Sequence, residues 1–318
     1  MRRRYGESAE IENITIPTLG GANRTVVFDL VTGETRRRLV SRQESYAAEH
    51  TPFLSSMDQF RLTRVVFESG IAAPEPVFAY DAEDGMGNGY VAAFVGGETM
   101  PKKILQSPRL ARARERLVAE VASSLARLHA IDVSKASFLE ARDDSVDPIG
   151  AQRVRLDSYD EPHPALELAL RWLERNRPSA GTRRILHGDL RIGNVIVAAD
   201  GLAAILDWEC AHVGDPVEDL GWFCVRSWRF GQNDKPAGGI GTRRELLDAY
   251  ETAGGRKVDV EEVRYWEIFG LARWAILNVM QAHGHVFGGR RSPAFAACGR
   301  NASMIEYDLL MTLRGDYD

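Results

Sequence analysis

The chain has 318 residues, 44% of them hydrophobic and 27% charged, with a formal net charge of −5. That balance fits a globular protein long enough for one large core or two lobes, and it argues against nucleic acid or an acidic membrane surface as the main partner. Cys210, Cys224 and Cys298 are too widely spaced for a disulfide framework or a zinc site, so a reducing, cytoplasmic setting is expected.

The opening MRRRYGE carries charge with no apolar run behind it and is not expected to be a signal peptide. Residues 11–41 read as strands broken by turns: IENITIPTL, then GGAN, then TVVFDLVTGETRRRLVSR, in which TGE separates two β-forming runs as in a hairpin and ETRRRLV is expected to be a solvated strand face. SMDQFRLTRVVFES, residues 56–69, has apolar residues at helical spacing, with Ser56 as the expected cap. GIAAPEPVFAYDAED turns back toward sheet and GYVAAFV reads as a buried strand. The first hundred residues are therefore predicted to be a mostly antiparallel sheet with one helix.

Helical character begins with SPRLARARERLVAEVASSLARLHAI, which places Leu117, Val121, Leu125 and Leu128 on one face. Further helices are predicted at 164–176, 243–253, 261–282 and 301–313, interrupted by a strand pair at 195–206. The greasiest stretch, EIFGLARWAILNVM, is too short to span a bilayer and contains Arg273. A composition shift near Gly96 and Gly97 divides the chain into 1–97 and 98–318. Later aromatics such as Trp222 read as core, while Trp228 and Phe230 are candidates for a pocket wall. The HGH at 283–285 reads as loop histidines, and KPAGGIG as a mobile loop.

The densest chemistry lies in HGDLRIGN, residues 187–194, followed by VIVAADGLAAIL and DWE. With Asp200 and Gly201 as a two-residue turn, Ala199 pairs with Leu202, and continuing outward sets Asn194 opposite Asp207. Opposed residues have Cα atoms about 4.5–5.5 Å apart, close enough to share one cation. An amide oxygen and a carboxylate are hard ligands suited to magnesium. Asp189, in the loop before the hairpin, is placed to accept a proton from an attacking hydroxyl. One Asp or Asn alone often just satisfies turn backbone; the whole spaced set is what points to a site.

This arrangement resembles the catalytic centre of protein kinases, and HGD with DWE is more similar to the aminoglycoside phosphotransferase and choline-kinase branch. The likeness continues through AHVGDPVEDLGWFCVRSWRFG and LLDAYETAGG, which resemble the kinase-like domains related to acyl-CoA dehydrogenase fusion proteins. The resemblance implies an α+β, two-lobed protein kinase-like fold, with an N-terminal nucleotide-binding lobe and hinge at 1–97 and a larger, mainly helical catalytic and acceptor-binding lobe at 98–318. It implies ATP and magnesium as cofactors and a small-molecule hydroxyl acceptor, with oligomeric state open. Asp189 would align the acceptor, His187 would brace the loop, Arg191 would stabilise the transferring phosphate, Asn194 and Asp207 would hold magnesium, and Asp219 would receive loop backbone N–H groups.

In the nucleotide half, Gly20, Gly21 and Asn23 of LGGANRT would lie nearest phosphate, although Gly-Gly is also an ordinary hairpin turn. Arg42 falls at the family's strand lysine and Gln59 at its helix glutamate, so the ion pair expected there becomes a hydrogen bond from Arg42 to Gln59, unless Asp58 or another acid takes the glutamate's place. Backbone groups from Ala92 through Phe94 to Val95 would meet an adenine edge. Arg226, Arg229, Lys235, Arg243 and Arg244 follow the site and disfavour a polycationic acceptor, which suits a hydroxy-acid or its CoA thioester better than an aminoglycoside. A nucleotide-binding homologue without transfer activity, acting as a regulator or partner, is the alternative.

Overall fold

The computed structural model describes residues 1–17, 23–44, 52–179, 181–288 and 291–317. A short helix α1 (Arg2–Tyr5) precedes strands β1 (Glu10–Thr15), β2 (Asn23–Thr32) and β3 (Thr35–Glu44); helix α2 (Ser56–Glu68) leads to β4 (Pro76–Ala79) and β5 (Gly89–Ala93). These strands make one antiparallel sheet in the order β1-β2-β3-β5-β4. The β2–β3 hairpin pairs without a break from Asn23 opposite Glu44 to Thr32 opposite Thr35. Gly33 makes the tight turn possible with φ of 59°, a conformation that costs glycine nothing. Phe28, Leu30, Leu39 and Val91 close a small core with Ala9. The arginines of ETRRRLV stand on a solvated face, where Arg36 pairs with Glu12 and Asp29, and Arg37 with Glu75.

The cap of α2 is Ser55 rather than the expected Ser56. Its hydroxyl accepts the N–H of Asp58 at 3.1 Å, while Ser56 is the first helical residue and buried. The apolar period of the helix needed Ser56 inside the first turn, which leaves its neighbour to satisfy the free N–H groups.

Helices α3 (Pro101–Gln106), α4 (Ala111–Ala130), α5 (Asp143–Val146), α6 (Pro148–Asp157) and α7 (Pro164–Arg175) follow, then β6 (Arg184–Leu186), β7 (Val195–Ala198), β8 (Gly201–Ile205) and β9 (His212–Gly214). The chain ends in α8 (Val217–Cys224), α9 (Arg243–Thr252), α10 (Val260–Val286) and α11 (Pro293–Arg314). The predicted stripe on α4 is the core face: Leu117, Val121, Leu125 and Leu128 are at most 2% exposed. Each leucine so buried contributes about 1.5–3 kcal/mol. Helix α10 is buried on nearly every side because α7, α8 and α11 surround it, and Arg273 lies inside it. Among the described residues, no helix is long and apolar enough to cross a membrane.

Two expected loops are ordered parts of the packing. His283 and His285 belong to the last turn of α10, where His285 Nδ1 accepts the N–H of Ser292 and the His283 ring packs on Tyr159 and Phe287. KPAGGIG is a packed turn: Ala237 is fully buried, and a Cβ on Gly238 would come within 2.5 Å of the Phe223 ring.

Candidate active site

The loop after β6 is gripped from several sides. Asp219 on α8 accepts the backbone N–H of His187 at 2.8 Å and of Gly188 at 2.9 Å, while His129 Nε2 on α4 donates to the same carboxylate at 3.1 Å. Burial alone would raise the Asp219 carboxyl, but the hydrogen bond and charge of His129 outweigh it and hold the group below its usual range. Arg273 Nη1 donates to the Gly188 carbonyl at 2.7 Å. Gly188 itself has φ of 74°, and a Cβ there would sit 2.3 Å from the Cys210 carbonyl oxygen, so no side chain fits. The fully buried His187 accepts the Asp189 N–H on Nδ1 and donates from Nε2 to the Leu206 carbonyl. Burial pushes its pKa down, which agrees with a neutral ring used for bracing.

Asp189 stands at the centre of a ring of donors. Its Oδ2 accepts Asn194 Nδ2 at 2.7 Å; its Oδ1 accepts Trp222 Nε1 at 3.1 Å and Arg191 Nε at 3.3 Å. The Asn194 amide N–H2 is committed to Asp189, which leaves its amide oxygen as the end available to a cation.

The hairpin register differs from the expected one. The turn is at 199–200, so Ala198 pairs with Gly201, and a bulge between Ile196 and Val197 then shifts the pairing by one. Asn194 therefore faces Leu206, whose N–H it accepts at 2.8 Å, and not Asp207. Asp207 comes one residue later, where the chain has left the strand with φ of 61° and ψ of 62°. The bulge has a tertiary cause: Val197 exchanges both backbone hydrogen bonds with Glu98, while the Glu120 carboxylate of α4 accepts the Leu202 N–H.

Asp207 faces a cavity of about 480 Å³ between the N-terminal sheet and this hairpin. Val27 and Val40 line it on one side, Ile196 and Ile205 on the other, with Ala92 and Val95 at the edge. In its wall, Arg42 Nη1 meets Asp207 Oδ1 at 2.5 Å, both side chains being partly exposed. Burial pushes the Asp207 carboxyl up, yet the charge and hydrogen bond of Arg42 hold it below its usual range. Arg42 lines the cavity, and its Nε is buried with no hydrogen-bond partner among the described residues. Small Ala92 leaves room for a flat ring. The donor set present, a half-buried guanidinium with a carboxylate and an amide oxygen, fits a magnesium–nucleotide pair.

The expected Arg42–Gln59 hydrogen bond is not made. Gln59 Nε2 donates instead to the Leu54 carbonyl at 2.9 Å, fixing the entry to α2, and its Oε1 is buried with no partner among the described residues. Asp58 does not replace it, since its side chain bonds Ser55 and Arg61. At the end of β5, where a hinge is expected, the N–H groups of Ala93 and Phe94 already donate to Glu75 and Arg38 carbonyls. Gly20 and Gly21 lie outside the described residues; Asn23 opens β2. Glu209, which received no role from sequence, lines the same cavity, and burial together with the Asp207 charge pushes its pKa up to about 7.

The four arginines of the basic run are paired within the fold, while Lys235 is exposed. Arg229 and Arg243 share the buried Glu267, Arg226 pairs with Asp308, and Arg244 with Asp248. The cation that does stand beside Asp189 is Arg191, whose guanidinium lies 4.9 Å from the centre of the Trp228 ring. Gly193 makes that pose possible: a Cβ there would be 2.2 Å from Arg191 Nη1. Gly193→Ala is expected to displace the flexible guanidinium, lowering turnover roughly tenfold, about 1.4 kcal/mol of barrier, with an unchanged melting temperature. Unchanged turnover would show that the Arg191 pose carries no rate.

The profile of the phosphotransferase enzyme family matches residues 15–258. A putative aminoglycoside phosphotransferase from Ralstonia eutropha JMP134 superposes with a TM-score of 0.71 at 21% identity, covering 98% of this chain and 96% of that one. An ethanolamine kinase from Plasmodium vivax gives a TM-score of 0.63 at 15% identity, covering 96% of this chain and 83% of that one. Mouse acyl-CoA dehydrogenase family member 10 is 25% identical over 178 residues, 52% of this chain, and the chain spans only 16% of that relative's length.

Proposed function

Because the chain belongs to the phosphotransferase enzyme family, we propose that it transfers the γ-phosphoryl group of ATP, with magnesium, to a hydroxyl of a small molecule. The observation that carries this reading is the Asp189 carboxylate, fixed through both oxygens on a loop whose backbone Asp219 anchors. Asp189 aligns the acceptor hydroxyl and takes its proton. Arg191 lies close enough to Asp189 to neutralise charge on the transferring group, and the orphan donor of Arg42 meets the nucleotide phosphates. Asn194, through its amide oxygen, and Asp207 would hold magnesium, which when bound neutralises phosphate charge. Val95 is left to read the adenine edge, since Ala93 and Phe94 are already paired. Residues 1–97, with Gly20, Gly21 and Asn23 near phosphate, serve as the nucleotide lobe and 98–318 as the catalytic and acceptor lobe; three free cysteines suit a cytoplasmic setting.

For the acceptor we favour a neutral or anionic hydroxyl compound, a hydroxy-acid or its CoA thioester, over an aminoglycoside. The support is now Arg191 beside the base rather than the paired arginines at 226–244, and the acyl-CoA dehydrogenase relative agrees with a thioester. The test is ATP consumption with magnesium across a panel of hydroxy-acids, their thioesters, ethanolamine and aminoglycosides, with the phosphorylated product identified by mass. Hydroxy-acid phosphorylation is expected; preferential turnover of aminoglycosides would overturn the acceptor assignment.

One observation favours a second reading, a nucleotide-binding homologue with weak or no transfer: Arg42 lies on the carboxylate assigned to magnesium, and Gln59 does not draw it away. Magnesium–ATP that raises the melting temperature while no acceptor and no slow hydrolysis consumes it would decide for that reading.

A further inference from the structure

Trp222 is a core residue of α8, 2% exposed. Yet its one polar atom does not point into the core at random. Among the described residues, the indole N–H groups of Trp208, Trp228 and Trp266 are buried without a hydrogen-bond partner. That of Trp222 donates to Asp189 Oδ1 at 3.1 Å.

The ring holding this donor is immobilised. Its face has the Arg273 guanidinium 5.1 Å from the ring centre, and Trp228 packs beside it at 5.4 Å. Gly270 of α10 packs against the same region: a Cβ there would lie 2.7 Å from Val225 Cγ2 and 3.4 Å from Trp222 Cε3. Arg191, the other donor to Oδ1, is a long side chain 28% exposed and sits 3.3 Å away. The two donors to Oδ1 thus differ in kind: one can leave with the ligand, the other cannot move without repacking the core.

Resting on the phosphotransfer reading, we propose that Trp222 is a positioning residue for Asp189: its indole N–H fixes the carboxylate rotamer so that the free lone pairs face the acceptor hydroxyl. A carboxylate turns freely about its terminal bonds unless donors define its plane. Asn194 on Oδ2 and Trp222 on Oδ1 define it from opposite ends. Losing the second leaves the base attached at one oxygen and by the mobile Arg191, and near-attack geometry is then visited less often.

The experiment has two arms. In the first, the six tryptophans give six indole N–H signals, and the Trp222 signal is assigned by its disappearance in Trp222→Phe. Asp189→Asn is expected to shift that signal and leave the Trp172 signal in place; an unmoved Trp222 resonance overturns the contact, whatever the activity. In the second, Trp222→Phe keeps an aromatic ring and removes the donor. We expect kcat to fall at least tenfold with KM for ATP within twofold, whereas Trp172→Phe, on α7 against Tyr265, keeps wild-type kcat. An unchanged kcat in Trp222→Phe overturns the positioning role. If Trp222→Phe does not fold, the benzothiophene analogue of tryptophan at 222 removes the N–H at nearly constant shape and is held to the same two outcomes. Wild-type protein that phosphorylates nothing in the acceptor panel sinks the phosphotransfer reading itself, a result the resonance arm separates from failure of the Asp189–Trp222 contact.

Discussion

Asp189→Asn lowers the rate of phosphoryl transfer by about 10²–10⁴-fold, the usual contribution of a positioned general base, and leaves magnesium–ATP binding close to wild type. Asparagine keeps the size and the planar shape but cannot take a proton. It also turns one acceptor into an N–H2, and both ends of the native carboxylate already face donors, from Asn194 on one side and Trp222 and Arg191 on the other. One end of the new amide must therefore meet a donor with a donor, which tilts the side chain as well as disarming it. The measurement is single-turnover transfer on the best acceptor, with nucleotide affinity from calorimetry. Residual activity above a tenth of wild type would take Asp189 out of the proton-transfer role.

Asp219→Ala acts on stability. The carboxylate accepts two backbone N–H groups and a histidine N–H, from residues that are themselves buried: His187 is 0% and His129 4% exposed. Removing the acceptor strands all three donors away from water, so a loss of about 3–5 kcal/mol is expected, the range for breaking a buried charged pair. At roughly 2–4 °C per kcal/mol the melting temperature should fall by ~10 °C. The pH dependence has a definite sign. Because the folded carboxyl is held below its ordinary value, its stabilisation is present above the unfolded pKa of about 3.9 and is lost as pH falls through the folded value. Asp219→Asn should therefore flatten the acid side of the stability profile. A loss under about 1 kcal/mol in Asp219→Ala would mean that Arg273 and the Gly188 turn hold the loop without it.

Most of the architecture is legible wherever a local pattern decides it. The hairpin around Gly33, the stripe Leu117–Val121–Leu125–Leu128 and the long apolar run of α10 each carry their own period and their own turn residue. What resists reading is set by residues far away in the chain. The bulge in the 195–205 hairpin depends on Glu98 and Glu120, neither of which any rule for two-residue turns can see. The arginines at 229 and 243 look like cleft charge until Glu267, on another helix, is found between them. The Arg42–Gln59 bond fails for the same reason, because Leu54 and Asp207 offer each partner a better bond. Trp222 was open to detection: EDLGW sets Asp219 and Trp222 three apart, and such residues share one helix face.

That shared face has a mechanical consequence. Asp219 grips the main chain of the loop and Trp222 grips the carboxylate that the loop presents, and both handles are bolted to the same two turns of α8, about 4.5 Å apart along its axis. If the helix drifts as a body when the cleft opens or fills, backbone and carboxylate drift with it by the same amount. The error is common to both and cancels, so the aim of the Asp189 carboxylate relative to its own loop is insensitive to breathing elsewhere in the molecule.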